Sequence, residues 1–469
     1  MLQFNTNPIL AVDSYKFSHF NQLPSGTTYL NSYIESRGGE FDHNLFFGLQ
    51  AFIKGYLLHS VTAEHVEEAH SLATAHGLPF NRPGFDRLVN HHGGRWPIVI
   101  EAVPEGTVLP IRNVLMQIRN TDPTMPWVTS FIETAILRAV WYPTTVATLS
   151  WAAKKIILEA LRKSSDDPDG QINFKLHDFG ARGVSSAESA ALGGMAHLVN
   201  FMGTDTVEAL VAARRFYGAD MAGFSIPAME HSTVTSWGRS GEALSYANML
   251  DQYAKPGALL ACVSDSYDIW NAVNNIWGDE LRQRLMESGA TVVIRPDSGD
   301  PHTIPVKVVE SLGERFGYTV NRVGYKTLHP SVRVIQGDGI TIKSIPVILK
   351  NLLDAGWSAD NLAMGMGGGL LQQVNRDTMR FAMKANAACI NGNWVDVYKD
   401  PVTDQGKQSK KGVLSLIRRT GFGSSHWTTI RRDKITPGDT DMLQEVFING
   451  ELLVDHSFDQ IRIRSNKPI

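Results

Sequence analysis

Short apolar runs alternate with helical segments over the middle of the chain, and nearly every run ends in small or polar residues. The runs are FKLHDFG, LVNFMGTD, GFSIPAMEHS, LLACVSDS, VVIRPDSG, VRVIQGDG and LAMGMGGG, with FAMKANAACING as a further candidate strand. Parallel strands buried on both faces form such continuous apolar runs, and their crossover connections are usually helices. The pattern therefore predicts a β/α alternation of about eight strands, either closed as a barrel or open as a doubly wound sheet.

The flanking segments have a different pattern. The first third mixes short apolar runs such as PIVIEAVPEGTVL with helical stretches such as VATLSWAAKKIILEALRK, and it ends in SSDDPDG. Clustered Pro, Gly and charged residues mark a loop. Beyond the Lys-rich segment KDPVTDQGKQSKKG, short strand-like runs resume. We therefore expect an α/β barrel-like domain at residues 169–390, and a mixed α+β domain built from residues 1–168 together with 391–469.

Composition favours a small-molecule partner. Lys and Arg number 44 against 47 Asp and Glu, so the sequence lacks the basic balance typical of proteins that bind nucleic acid or a membrane surface. The apolar stretch at residues 127–142 is interrupted by Glu133 and Arg138, and we expect neither a signal peptide nor a membrane span. The two cysteines, Cys262 and Cys389, lie in apolar runs without disulfide or metal-ligand spacing, which favours a reducing cytoplasm.

Carboxylates stand at the ends of five predicted strands. They are Asp178, Asp205, Asp265, Asp297 and Asp338. Ligands bind at the carboxyl ends of parallel strands, so we expect these groups to surround one mouth. Carboxylates so close together repel unless a cation joins them, and Mg²⁺ held with phosphate oxygens would satisfy them. The alternative for any single aspartate is a cap on the following helix.

The segment GMGGG, residues 365–369, lies between a predicted strand and helix. Glycines there allow backbone N–H groups to approach a phosphate, although a tight connection has the same pattern. Basic residues add candidate phosphate ligands, because arginine forks match phosphate geometry and lysines add charge. These are Arg182, Arg295, Arg376, Lys384, Lys399, Lys407, Lys410 and Lys411. For the late lysines, a solvated loop is the alternative.

A histidine, His231, follows Glu230 at the end of GFSIPAMEHS. At a strand end it could act as a nucleophile or proton carrier oriented by Glu230, although a lone histidine is more often structural.

Several motifs together identify a family. At HDFGARGVSS, LVNFMGTDT, SIPAMEHST, VSDSYDI, IRPDSG, VIQGDG and GGGLLQ, the sequence resembles the nicotinamide phosphoribosyltransferase family, from AVDSYKFSH near the start to SFDQIR near the end. The resemblance implies an irregular (β/α) barrel, and a homodimer whose two active sites lie at the subunit interface. It also implies transfer of phosphoribosyl from phosphoribosyl pyrophosphate to nicotinamide, giving nicotinamide mononucleotide and pyrophosphate in NAD biosynthesis.

The resemblance also implies roles for individual residues. Those expected around the base are Phe179, Arg182, Asp205, Ser225 and, from the other subunit, Tyr15. Those expected along the ribose and 5′-phosphate are Arg295, Asp297, Gly337, Asp338, Gly367 and Gly368. Phosphate ligands expected from the other subunit are Arg376 and Lys384, with Lys399 and Lys407 as matching candidates in the late loop. Asp265 is expected to organise Mg²⁺, and His231 matches the histidine that the family phosphorylates from ATP.

Three positions bear on which base is used. The related nicotinate enzymes, which are the alternative interpretation, typically show GTSN where this chain has GTDT, and a second arginine where it has Gly183. The carboxylate of Asp205 can accept an amide NH₂ but would face the carboxylate of nicotinate, so nicotinamide is expected.

The chain departs from vertebrate members at Ala181, where they have tyrosine, and at Met366, where serine is common.

Overall fold

The computed structural model describes residues 7–421 and 424–467. The chain forms two compact units. The flanking unit comprises Met1–Thr148, Ala212–Asp220 and Asn375–Ile469, and the barrel unit comprises Leu149–Val211 and Met221–Val374. The first boundary between the units, at 148/149, lies inside the helix Glu133–Ser164. From the sequence, this boundary was expected in the loop at 168/169. The Pro, Gly and charge cluster marks the end of that helix.

The strands are numbered in chain order. Those of the first segment are β1 (Thr27–Ser36), β2 (His43–Leu45), β3 (Ile98–Ala102), β4 (Val108–Pro110) and β5 (Val114–Asn120). Those of the barrel unit are β6 (Leu176–Asp178), β7 (Gly203–Thr204), β8 (Leu259–Val263), β9 (Thr291–Arg295), β10 (Tyr318–Val320), β11 (Lys326–Leu328), β12 (Val332–Gln336) and β13 (Leu362–Met366). Those of the last segment are β14 (Phe381–Ile390), β15 (Asn393–Asp396), β16 (Leu414–Gly421), β17 (Ser424–Arg431), β18 (Gln444–Ile448) and β19 (Glu451–Leu452).

The α-helices are numbered in the same way. They are α1 (Leu49–Phe52), α2 (Ala63–Ala75), α3 (Arg82–His92), α4 (Val128–Phe131), α5 (Glu133–Ser164), α6 (Pro168–Gln171), α7 (Ala187–Leu198), α8 (Val207–Tyr217), α9 (His231–Thr235), α10 (Glu242–Tyr253), α11 (Ile269–Asn271), α12 (Arg282–Ser288), α13 (Ile304–Phe316), α14 (Ser344–Asp354), α15 (Gly368–Leu371) and α16 (Phe458–Ser465).

The barrel unit is built on a six-stranded sheet in the order β7-β6-β13-β12-β9-β8, and every neighbouring pair is parallel. A short irregular segment bridges its two edge strands. The N–H of Thr204 on β7 donates to the carbonyl of Phe224 at 3.1 Å, and the N–H of Ala261 on β8 donates to that of Pro227 at 2.9 Å. Pro227 has no N–H to donate, so the segment makes isolated bridges instead of a full ladder. The predicted α/β barrel is confirmed in this irregular form.

A thin apolar layer fills the ring. Ala261 on β8, Val293 on β9 and Ile335 on β12 pack together, and Ile226 of the bridging segment and Phe179 after β6 pack against them. Because successive strand residues point to opposite faces, the residues two positions further along each strand also face the interior. The layer therefore supports the side chains at the carboxyl ends.

The flanking unit is built on a seven-stranded antiparallel sheet in the order β15-β14-β1-β5-β3-β18-β19. The segment FAMKANAACING contains the whole of β14, which pairs with β1 from Ser36↔Phe381 to Thr27↔Ile390. The prediction of an eighth barrel strand there is wrong, and residues 375–390 belong to this unit instead of the expected 169–390 domain. An apolar run fits either sheet, and its partner lies about 350 residues away in sequence, beyond the reach of a local pattern.

Large apolar side chains form the core of the flanking unit. Tyr33 and Ile34 of β1, Ile100 of β3, and Phe46 and Trp96 of the connecting segments are fully buried in it. Within the residues that the structure describes, none of the helices combines the length and apolar character that crossing a bilayer requires.

Candidate active site

The carboxyl ends of the barrel strands surround a cavity of about 400 Å³. Its lining residues all lie in the barrel unit and come from the ends of different strands. They are Phe179, Ala181, Arg182, Asp205, Arg295, Asp297, Gly337, Asp338 and Gly367. Eight of these were expected at the site from the sequence, and the ninth, Ala181, is one of the two positions at which the chain departs from vertebrate members.

The alternation of strand residues explains why these side chains share a cavity. Val293 lies in the apolar layer, and Arg295 and Asp297 follow it at intervals of two. Likewise, Ile335 lies in the layer and Gly337 lines the cavity. Residues at a spacing of two face the same side of a strand, so the polar groups stand directly above the apolar floor.

The ring of Phe179 has space because strand β13 carries a glycine beside it. A Cβ built on Gly365 would lie 1.9 Å from Cε2 of Phe179, and one on Gly337 would lie 3.4 Å from the same atom. No side chain fits at Gly365 while the ring keeps its place. Phe179 is therefore held against the backbone of two strands, with its ring at the cavity wall.

Asp205 is held by two polar neighbours through one oxygen. Its Oδ1 lies 3.0 Å from Nε2 of His177 and accepts a hydrogen bond from Ser225 Oγ at 2.5 Å. Burial favours the neutral acid, but the hydrogen bond and charge of His177, with smaller effects of Ser225 and Arg295, lower the pKa of Asp205 below its usual value. The carboxylate is thus ionised, and among the described residues none donates a hydrogen bond to Oδ2, which is left for a ligand.

Asp178 does not belong to this group, although it ends a barrel strand. It is fully buried, and its oxygens accept hydrogen bonds from Gly180 N–H at 2.8 Å and Thr204 Oγ1 at 3.1 Å. Burial raises its pKa. It lies one position before Phe179 and so faces the opposite side of the strand. The expectation that it lines the mouth is wrong, and it braces β6 against β7.

Asp265 connects His231 to the loop that carries Asp297. One oxygen, Oδ1, lies 3.2 Å from His231 Nε2. The other, Oδ2, accepts the Asp297 N–H at 3.0 Å and the Ser298 hydroxyl at 2.5 Å. The side chain of His231 is 46% exposed and that of Asp265 only 5%. Asp265 is thus buried and joins His231 to the Asp297 loop, whereas the imidazole of His231 is accessible to solvent. Arg295 also contacts this loop, with its Nη2 lying 3.9 Å from Asp297 Oδ2.

The glycine segment is open toward the cavity. A Cβ on Gly368 would meet no atom within 4 Å, and one on Gly367 would meet only the Phe179 backbone at 3.5 Å. Packing alone does not require glycine at either position, so the open space can be occupied by a ligand. Met366 is fully buried and is not among the lining residues. The departure at Met366 therefore lies beneath the segment.

The remaining expected residues lie in the flanking unit, where some form a cationic cluster. Lys384 on β14 is surrounded by the charges of Glu133, Arg37, Lys399 and Lys16. Burial, followed by the repulsion of the three cations, lowers the pKa of Lys384 below its usual value. Lys16 is itself held by Glu133, with Nζ 2.7 Å from Oε2. We call Lys16, Arg37, Lys384 and Lys399 the cationic cluster.

Three more expected residues belong to this unit. Arg376 lies on a turn capped by Asn375, and its Nη2 is 3.4 Å from Oδ1 of Asp377. The carbonyl of Lys407 accepts a hydrogen bond from Arg37 Nη1 at 3.4 Å, which joins it to the cluster. Tyr15 is 56% exposed.

Sequence reasoning missed two residues that the structure brings to these sites. His177 precedes Phe179 by two positions, so strand alternation places both residues on the interior face. Arg37 gave no such signal. It reaches Lys384 only because β1 pairs with β14 across more than three hundred residues.

Within residues 7–421 and 424–467, no three His, Cys, Asp or Glu side chains are grouped to hold a metal ion. Both oxygens of Asp265 are occupied by protein donors. The residues present therefore fit a cation carried mainly by substrate phosphates, and not a cage of protein ligands.

Comparisons with known proteins agree along the whole chain. The model of the nicotinate phosphoribosyltransferase (NAPRTase) family matches residues 174–451, and that of the nicotinamide phosphoribosyltransferase N-terminal domain matches residues 7–100. A protein of Xanthomonas campestris pv. campestris (strain 8004) named nicotinamide phosphoribosyltransferase is 52% identical over 466 residues, 99% of each chain. One of that name from Acinetobacter baylyi is 31% identical over 99% of this chain and 98% of its own.

A solved structure has the same fold at low identity. The nicotinate-nucleotide pyrophosphorylase from Pyrococcus furiosus superposes with a TM-score of 0.63 at 15% identity, covering 100% of both chains. The family expected from the sequence is confirmed by the matches and the relatives. The chain belongs to the NAPRTase family and, within it, to the nicotinamide phosphoribosyltransferases.

Proposed function

We propose that the protein transfers phosphoribosyl from phosphoribosyl pyrophosphate to nicotinamide, releasing nicotinamide mononucleotide and pyrophosphate. The observation that carries this proposal is the ionised Asp205 in a cavity that is also lined by Phe179 and by the open glycine backbone of Gly367. The aromatic ring and carboxylate suit a flat amide-bearing base, and the glycines suit a phosphate. The two buried free cysteines, Cys262 and Cys389, fit a reducing, cytoplasmic setting.

Phe179 and Asp205 divide the recognition of the base between them. The ring packs on one face of nicotinamide, with Tyr15 of the partner subunit on the other. Stacking contributes only about 0.5–1.5 kcal/mol beyond area burial, and it does not distinguish an amide from an acid. Asp205 distinguishes the amide from the acid, because its Oδ2 accepts a hydrogen bond from the amide NH₂. Arg182 donates to the amide oxygen.

Charge excludes nicotinate. Two like charges about 4 Å apart at an effective dielectric of about 20 repel by roughly 4 kcal/mol, on the order of a thousandfold in affinity. His177 and Ser225 hold Asp205 in its charged form, so the repulsion is present at neutral pH.

The transfer breaks the bond between ribose C1 and pyrophosphate while the ring nitrogen attacks. Positioning and charge stabilisation supply the barrier reduction, without a covalent intermediate on the protein. Asp297, held by Asp265 through its backbone, stands where positive charge develops on the ribose. Gly367 and Gly368 receive the 5′-phosphate, and Gly337 and Asp338 border the ribose.

Cations neutralise the leaving pyrophosphate. Arg376, Lys384, Lys399 and Lys407 from the partner subunit are the protein's contribution, in a homodimer with shared sites. Mg²⁺ held with the substrate phosphates near Asp265 would add positive charge that stabilises the leaving pyrophosphate. Asp265 orients the basic groups nearby instead of caging the ion, since its oxygens already accept protein donors.

ATP is a coupled co-substrate through His231. With Nε2–H directed at Asp265, the lone pair of Nδ1 attacks the γ-phosphorus, ADP leaves, and the phosphohistidine is hydrolysed during turnover. The exposed imidazole and the buried carboxylate give this nucleophile and its orienting group.

The direct test is product formation. The purified protein is incubated with Mg²⁺, nicotinamide and phosphoribosyl pyrophosphate, and nicotinamide mononucleotide and pyrophosphate are quantified together. Equal amounts of both are expected. Absence of the mononucleotide, with and without ATP, would contradict the proposal.

A further inference from the structure

A buried carboxylate at the end of β1 holds the lysine-rich loop of the flanking unit, residues 399–412. Glu35 is only 2% exposed. Its Oε1 accepts hydrogen bonds from the Tyr33 hydroxyl at 3.2 Å and from Arg37 Nε at 3.0 Å, and its Oε2 pairs with Lys410 Nζ. The carboxylate of Glu35 thus contacts both Arg37, which belongs to the cationic cluster, and Lys410, near the end of the loop.

Tyr33 adds a second attachment for the loop. Its side chain is fully buried, and its hydroxyl accepts the Lys410 backbone N–H at 2.8 Å while donating to Glu35. Burial, with the nearby charge of Glu35, raises the pKa of Tyr33 far above its usual value, so the hydroxyl keeps its proton. Both the side chain and the backbone of Lys410 are therefore fixed to β1.

Further hydrogen bonds connect this anchored part of the loop to Lys399 and Lys407, the two loop lysines proposed to bind phosphate. Ser409, next to Lys410, donates its N–H to the Lys399 carbonyl at 2.9 Å and accepts the Lys399 N–H on its Oγ at 2.8 Å. Arg37 donates from Nη1 to the Lys407 carbonyl at 3.4 Å. The β1 register places Tyr33 opposite Lys384 on β14. The group of Tyr33, Glu35 and Arg37 therefore sets the loop lysines relative to Lys384.

We propose that Glu35 is a positioning residue for phosphoribosyl pyrophosphate, acting through Lys399, Lys407 and Arg37 by fixing the loop base to β1. This inference rests on the proposed function in taking the lysines as pyrophosphate ligands. The proposed role of Glu35 predicts an effect on anion binding opposite to that expected from charge alone. Removing a carboxylate makes the region more positive, which alone would strengthen anion binding, whereas loss of the anchor weakens it.

The test compares Glu35→Gln and Glu35→Asp with the unmodified protein. For Glu35→Gln we expect the KM for phosphoribosyl pyrophosphate to rise about tenfold, because charge-assisted hydrogen bonds that set the loop are lost. The KM for nicotinamide should stay within about twofold, since the base site lies among barrel residues that this change does not touch. Glu35→Asp keeps the charge and should recover part of the loss.

A matched control is Glu101→Gln, in the same sheet. Glu101 pairs with Arg432 at 2.7 Å, and among the described residues its side chain accepts hydrogen bonds from Gln117 and Arg432, neither of which lies in residues 399–412. It should lower thermal stability without changing the KM for phosphoribosyl pyrophosphate. If Glu35→Gln does not fold, Tyr33→Phe, which removes only the hydroxyl, should raise the same KM by about threefold. A fall in that KM, or an equal rise for both substrates, overturns the proposal.

Limited trypsin digestion tests the anchor without enzyme activity. Cleavage after Lys407, Lys410 or Lys411, located by mass spectrometry, should be several-fold faster in Glu35→Gln than in the unmodified protein and Glu101→Gln, because an unanchored loop opens more often. Equal cleavage in all three overturns the inference even if the enzyme is active. Faster cleavage in a protein that makes no nucleotide supports the anchor and contradicts the proposed function.

Discussion

The imidazole of His177 lies 3.0 Å from the Asp205 carboxylate and lowers its pKa against the opposing effect of burial. The distance joins Nε2 to Oδ1, the oxygen that also accepts the Ser225 hydroxyl. Base choice in the proposed reaction thus depends on a residue that need not touch the base at all. His177 lowers the pKa of Asp205 and contacts its carboxylate, the group that is proposed to bind the base.

We predict that His177→Asn makes base choice sensitive to pH. In the unmodified protein the pKa of Asp205 is depressed, so the discriminating charge is present above that pKa and is lost only as pH falls through it. In the variant, Asp205 is still buried but lacks the contact with His177 that lowers its pKa. The pKa of Asp205 therefore rises, and its charge is lost at a higher pH. The ratio of kcat/KM for nicotinamide over nicotinate, measured from about pH 5 to 8, should fall at the acid end in the variant alone. Identical profiles would count against this role.

We predict that Gly365→Ala weakens nicotinamide binding by displacing Phe179. The added Cβ would lie 1.9 Å from Cε2 of that ring, so the ring must move. We expect the KM for nicotinamide to rise at least about tenfold, since both stacking and burial are lost. The matched control is Gly438→Ala, where a Cβ meets nothing within 4 Å. If the two alanine variants had the same KM, Phe179 would not be the ring that holds the base.

We predict that His231→Asn separates ATP coupling from phosphoribosyl transfer. The variant lacks the nucleophile but keeps Asp265 on the Asp297 loop, because that contact uses the other carboxylate oxygen. Nucleotide formation should persist at the rate seen without ATP, and added ATP should no longer accelerate it. Acid-labile phosphate on the protein should be absent. Continued acceleration by ATP would show that another group accepts the phosphate.

We predict that two inactive variants complement each other when mixed. Tyr15→Ala removes a flanking-unit residue, and Asp205→Ala removes a barrel-unit residue. If sites are shared in a homodimer, a mixed dimer contains one site with both residues intact, and activity should return to about a quarter of the unmodified rate after exchange of subunits at equal amounts. Sedimentation checks that a dimer forms. A dimer without recovery would mean that each site is built from one chain.

The sequence predicted the barrel site better than the flanking site, for a physical reason. Arg295 and Asp297 follow the interior-facing Val293 by two and four positions, so a local pattern that locates the end of one strand was enough to place them at the cavity. The same alternation distinguishes the buried Asp178 from Phe179 once the register is known. Placing Arg37 beside Lys384 required the pairing of two distant strands, which no local pattern contains.

The apolar run at β14 illustrates the same limit. Its residues suit a buried strand of either sheet, and only its pairing with β1 assigns it to the flanking unit. The closing segment of the barrel was predicted as a strand because of its apolar residues. Pro227 reduces it to isolated bridges, yet it still joins both edges of the sheet.

The most direct test of the central claim is the ratio of kcat/KM for nicotinamide over nicotinate in the unmodified protein and in Asp205→Asn, measured by pyrophosphate release at neutral pH. We predict a ratio on the order of a thousand that falls by at least about tenfold in the variant, because the discriminating charge is removed. The control Asp338→Asn, on the same cavity, should slow both bases alike and leave the ratio unchanged. Faster turnover of nicotinate by the unmodified protein would contradict the account.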